Sequence, residues 1–184
     1  MKLISFLTSL LATSVLGSPA PIAKRDGTTV IDGLNTIGDL ATVINTVVGA
    51  YVGGLGSEAM GLNIQLQLTQ ICILIETVVI DARNAPTFTS AQSTNAEFAY
   101  SQAGPKLETL ATTIGSKEEA FEKGLLGFIS ITFLIKDDLI RLTQSLLVAG
   151  DALVGKLAPA DAANALVIQQ TITGAFFAAI RKFD

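Results

Sequence analysis

Histidine and tryptophan are absent from this chain, and cysteine occurs once in 184 residues. Without histidine it lacks the commonest general base and the commonest metal ligand. No Ser-His-Asp or Cys-His grouping can form. A lone thiol, Cys72, rules out an intramolecular disulfide, so the core alone must hold the fold, and a hydrophobic content of 49% permits that. Cys72 stands among Ile71, Ile73 and Leu74 and reads as a small buried hydrophobe. Positive charge is also scarce, with 12 Lys+Arg against 16 Asp+Glu. Three of the basic residues, Lys2, Lys24 and Arg25, precede Asp26, which leaves the remainder at net −7. That balance argues against nucleic acid as a partner and against anionic lipid surfaces.

What is present begins with an address. Met1-Lys2 supplies a positive start, residues 3–16 an apolar stretch, and Gly17 a small residue before a cut at Ser18. This is the pattern of a signal peptide over 1–17. Residues 18–25 then read as a short propeptide ending in the dibasic pair Lys24-Arg25. The mature chain is expected to start at Asp26 and to form one domain, 26–184, large enough for a single substantial core. The best later candidate for a membrane span, 124–135, falls short of the roughly 20 apolar residues required. The end, Arg181-Lys182-Phe183-Asp184, lacks the hydrophobic tail of a GPI signal. The expected product is secreted and extracellular, with no transmembrane segment; loose association with a cell wall stays open.

Every strong periodicity has a spacing of 3 or 4. Val30, Leu34, Ile37, Ala41, Ile44, Val48 and Tyr51 form one helical stripe, with Thr29 expected as its cap and Gly53-Gly54-Leu55-Gly56 as its stop. A second helix is expected over 57–84, apolar almost all round from 71 to 80, and ended by Pro86. The third segment, 90–122, carries a thin stripe and is expected to kink or break at Gly104-Pro105. A fourth, 124–157, places Phe128, Ile131, Ile135, Leu139, Leu142 and Leu146 inward. Pro159 opens a fifth, with Ala165, Ile168, Ile172, Phe176 and Ala179 inward. The predicted fold is all-α, an antiparallel five-helix bundle.

The carboxylate pairs, Asp137-Asp138 and Glu118-Glu119, are the remaining catalytic residue types. Neighbours on a helix point about 100° apart, so each pair reads as a solvated face. No phosphate loop follows a strand. The chain is expected not to be an enzyme and to need no cofactor.

Residues 71–80 and 125–135 are apolar around most of a helix, more than one core face needs, which raises the prospect of a central apolar cavity. Gln67, Gln70, Ser130 and Thr132 are polar groups inside these runs that could orient the head of an apolar ligand; the plainer reading has each satisfied by its own helix or by solvent.

The order of patterns resembles a known family, the fungal hydrophobic-surface-binding and cell-wall galactomannoprotein domain, over about 27–183. The resemblance rests on the leader with Lys24-Arg25, Val30-Ile31 through Tyr51, and Gly104-Pro105-Lys106-Leu107. It rests further on Asp138-Leu139-Ile140-Arg141-Leu142-Thr143, on Asp151-Ala152-Leu153-Val154-Gly155-Lys156-Leu157 before a proline, and on Ala175-Phe176-Phe177-Ala178-Ala179-Ile180. It implies a five-helix domain, in some members closed around a long-chain fatty acid, in others adsorbing to hydrophobic surfaces or seated in the cell wall. Unlike the wall members, the chain has no Ser/Thr-rich stalk. An acyl chain or other apolar small molecule between the helices would then be lined or flanked by Ile44, Val48, Leu66, Gln70, Ile73, Phe128, Thr132, Ile135, Ile172 and Phe176. Two other readings compete: a surfactant-like protein that binds hydrophobic surfaces and recruits secreted enzymes, and a helical effector that binds a host protein.

Overall fold

Asp26 sits in extended backbone and its carboxylate accepts hydrogen bonds from the amides of Thr28 (2.9 Å) and Thr29 (3.4 Å). That capping starts helix α1, Gly27–Ala50, three residues earlier than the expected cap at Thr29. The computed structural model describes residues 26–124 and 131–184; the leader, the propeptide and Phe128 lie outside the described residues. Helix α2 spans Glu58–Asn84 and α3 Ser90–Ser116, the latter opened by a reciprocal capping box between Thr89 and Gln92. A short α4, Glu118–Lys123, precedes α5, Thr132–Val154. Helix α6, Pro159–Ile180, has proline in its first turn, where the missing amide costs nothing, and runs into a 3-10 turn at Arg181–Phe183.

Helix α3 runs through Pro105 without a break, contrary to the expectation from sequence. Pro105 is exposed, and the carbonyl it leaves unbonded belongs to half-exposed Ser101, within reach of water. Gly104 lies on the opposite, buried side, where a Cβ would press on Ile168 of α6 at 3.0 Å. The pair therefore serves close helix packing.

Successive long helices alternate in direction, yet spatial order differs from chain order. Helix α1 packs on α2 and α3, α3 on α6, α6 on α5, and α5 returns to α2. The five long helices thus close into a ring. Matching positions give the directions. Gly27 meets Gln92 and Gly38 meets Ala103, so α1 and α3 run side by side in parallel. Ser93 donates to Asp161 at 2.6 Å and Gly115 abuts Ala179, so α3 and α6 are parallel too. Gly150 against Gln169 and Lys136 with Asp184 make α5 and α6 antiparallel.

The connections cross the two ends of the ring. At one end Phe88 donates its amide to Lys156 O (3.1 Å), and Lys156 Nζ donates to Ala85 O (2.6 Å), closing the α2 terminus. At the other, Phe121 of α4 stacks on Tyr51 (centroids 5.0 Å) and leans on Phe183 (6.1 Å). Gly53 holds this end: its φ is +69°, and a Cβ there would collide with the carbonyl oxygen of Ala120. Gly53→Ala is expected to cost about 2–3 kcal/mol, read as a lower denaturation midpoint with unchanged slope. An unshifted midpoint would contradict this packing.

Candidate ligand-binding interior

A ring of five helices has no central helix. With neighbours about 9 Å apart, the ring axis lies roughly 8 Å from each helix axis, so only side chains reach the middle. The stripes that do so are apolar. Helix α1 contributes Val30, Leu34, Ile37, Ala41, Ile44 and Val48; α5 contributes Ile135, Leu139, Leu142 and Leu146; α6 contributes Ala165, Ile172 and Phe176. Of the residues expected at the ligand, Ile44, Val48, Ile135, Ile172 and Phe176 stand on these buried faces. Ile44, Val48, Ile172 and Phe176 are 0% exposed, which leaves no water-sized gap beside them. A ligand on the ring axis would enter only if these side chains moved apart.

Helix α2 corrects the expectation. Leu66 and Ile73 are exposed, at 58% and 56%, and Gln70 is exposed as well. The inward stripe is Ile64, Leu68, Ile71, Ile75 and Val78. Because this helix is apolar all round, two stripes with spacings of 3 and 4 coexist, and contact with α1 and α5 chooses between them. Leu62, Leu66, Ile73 and Ile80 form the outer one. Thr132 is half-buried at the first position of α5, and Gln67 is half-buried with its Oε1 sealed and unpartnered.

Among the described residues, two helices qualify as membrane spans by length and composition, Glu58–Asn84 and Pro159–Phe183. The second is uncharged from 162 to 180, a longer run than the 124–135 segment singled out from sequence. In the fold both are wall helices, with one face turned into the ring. Two open grooves mark the outer surface. One, of about 610 Å³, lies between α3 and α6 over Ala111, Gly115, Ala175 and Ala179; the other, of about 400 Å³, runs between α2 and α5 past Val79, Ile80 and Val148. Neither is lined by the residues expected at the ligand.

Two polar-capable groups sit against the α2–α5 contact. Cys72 is buried, and burial pushes its thiol up to about 11. It is expected to resist a thiol reagent until denaturant is added; rapid native labelling would contradict its place in the wall. Asp138 was expected on a solvated face but is buried, 7% exposed, with Oδ2 lacking a hydrogen-bond partner among the described residues. Its register held the signal: it lies three residues after Ile135 and four before Leu142, inside the inward stripe. Burial raises its pKa to about 6, with Asp137 adding to the rise and Arg141 opposing it. The folded state then holds this proton more tightly than the unfolded chain. The associated stability is complete below the ordinary carboxylate range and is lost as pH rises through about 6. Asp138→Asn is accordingly expected to raise the melting temperature at pH 8 and to change it little at pH 4. A gain of equal size at both pH values would refute the assignment.

No family model matches the chain, and no curated protein matches it by sequence. Solved structures do match. The crystal structure of AfMP4p in complex with palmitic acid aligns at TM-score 0.79, covering 86% of this chain and 100% of that one at 23% identity. Ligand binding domain 1 of the Penicillium marneffei MP1 protein, complexed with arachidonic acids, aligns at 0.74 over 86% and 99% with 14% identity. Domain 2 of the same protein, complexed with multiple arachidonic acids, aligns at 0.70 over 85% and 92% with 13% identity. The chain shares their fold.

Proposed function

We propose that this protein encloses a long-chain fatty acid or a similar apolar ligand between its helices. The observation that carries the reading is the closed ring with an apolar axis, a fold shared along nearly the whole length of domains solved with palmitic and arachidonic acids. The energetics allow it. Burying about 14 methylenes at roughly 0.8 kcal/mol each gives about 11 kcal/mol gross. Lost motion and chain ordering take back several kcal/mol, which leaves micromolar or tighter binding. Ile44, Val48, Ile135, Ile172 and Phe176 are the residues we assign to the chain's tail. The protein acts as a binder rather than as an enzyme, and membership in the fungal hydrophobic-surface-binding and cell-wall galactomannoprotein family accords with this. Secretion accords as well: cleavage after Lys24-Arg25 would leave Asp26, the α1 cap, at the new terminus. Titrating delipidated protein with palmitic acid while following displacement of a fluorescent apolar probe tests the reading. Saturable displacement at low micromolar concentration supports it, and none up to the solubility limit refutes it.

A second reading, adsorption to hydrophobic surfaces, is favoured by the outer stripe of Leu62, Leu66, Ile73 and Ile80. Replacing Leu66 and Ile73 with serine separates the two: adsorption to a wax-like surface would fall while palmitic acid binding stayed unchanged.

A further inference from the structure

Enclosing an acyl tail makes no use of Asp138. Its Oδ2 is sealed from water without a donor among the described residues, inside a stripe that is otherwise apolar except for Thr143, whose hydroxyl donates to Leu139 O. A carboxyl oxygen in that state has lost its hydration and gained nothing in return. Native folds rarely keep such a group, and a donor supplied from outside the chain accounts for it. Asn45 and Gln67 also hide an unpartnered oxygen, but these are neutral amides on less buried residues.

We propose that Asp138 is the head-group residue of the interior site, accepting a hydrogen bond from the hydroxyl of a long-chain alcohol or from an un-ionised acid head. The proposal rests on the reading of the ring as an acyl-chain site. Its chemistry is discriminating. A hydroxyl head donates to the carboxylate, a methyl ester has no donor, and a fatty-acid head donates once it has taken up the one proton that the two carboxyl groups then share. The surroundings leave the role to Asp138. On α5 the charged neighbours are Asp137 and Arg141, and across the interface α2 presents Cys72 and Glu76. Helix α6 is uncharged from 162 to 180. Helix α4, with Glu118, Glu119, Glu122 and Lys123, and the terminal turn, with Arg181 and Lys182, pack on α5, where Lys136 is held by Asp184 at 2.6 Å. Below pH about 6 the carboxyl carries its proton and becomes a donor, so its preference among heads weakens or reverses.

The test uses the delipidated protein and two ligands, hexadecanol and methyl palmitate, each displacing a fluorescent apolar probe at pH 8 and pH 5. At pH 8 the unmodified protein should prefer hexadecanol by about tenfold or more, and the preference should shrink at pH 5. Asp138→Leu should bind both ligands without preference at either pH. Asp138→Asn carries an acceptor oxygen and a donor amide at every pH, as the protonated carboxyl does, so it should show the weakened preference at both pH values, which decides the matter if the leucine variant does not fold. Equal preference in the unmodified protein and Asp138→Leu, or a pH-dependent preference in Asp138→Asn, overturns the proposal while leaving the acyl-chain reading intact. Failure of both ligands to displace the probe overturns that reading, and the proposal with it.

Discussion

Phe176→Ala is expected to destabilise the protein by about 3–5 kcal/mol, whereas Phe177→Ala should stay within about 0.5 kcal/mol. Phe176 is 0% exposed on the inward face of α6, and Phe177, its sequence neighbour, is 50% exposed on the outer face. Truncating the first removes a buried ring and leaves a cavity on the inner face of α6. For a chain of this size the loss corresponds to a fall in melting temperature of roughly 6–20 °C. The comparison is internal, since both variants delete the same atoms from the same helix. Similar melting temperatures for the two would mean that α6 is rotated about its axis relative to the ring described above.

Ile135→Trp should separate binding from stability. Ile135 is 1% exposed on the inward stripe of α5. In a solid core the added bulk would cost about 1–3 kcal/mol through overpacking. An indole placed there occupies the axis along which an acyl tail would lie. Because the interior is closed without ligand, the expected outcome is a loss of about 1–3 kcal/mol, a fall in melting temperature of roughly 2–12 °C, and palmitic acid binding weakened at least tenfold. A variant that melts much earlier yet binds palmitic acid as before would contradict the placement of the ligand along this stripe.

Much of the fold was legible because α1 and α5 have one stripe each that is larger or more continuous than its alternatives. In α1 the opposite face carries Asp32, Asn35, Thr36 and Asp39, so only one stripe can turn inward. Helix α2 offers two, and the choice of Leu66, Gln70 and Ile73 failed because periodicity alone does not rank equivalent faces. The identity of ring neighbours was not legible either. It depends on close approaches such as Gly38 to Ala103 and Gly115 to Ala179, made by helices far apart in sequence. Pro105 misled because its cost falls on a carbonyl that water can reach. Asp138 was missed for a different reason: a charge beside a charge reads as surface, although its spacing from Ile135 and Leu142 already set it inside.

The most direct test of the central claim is a native mass spectrum of the delipidated protein mixed with a modest excess of palmitic acid. An interior acyl-chain site predicts a discrete population heavier by the mass of bound palmitic acid, which persists at low collision energy and disappears in Ile135→Trp. A spectrum showing only free protein, or a ladder of adducts that the variant displays equally, would contradict it.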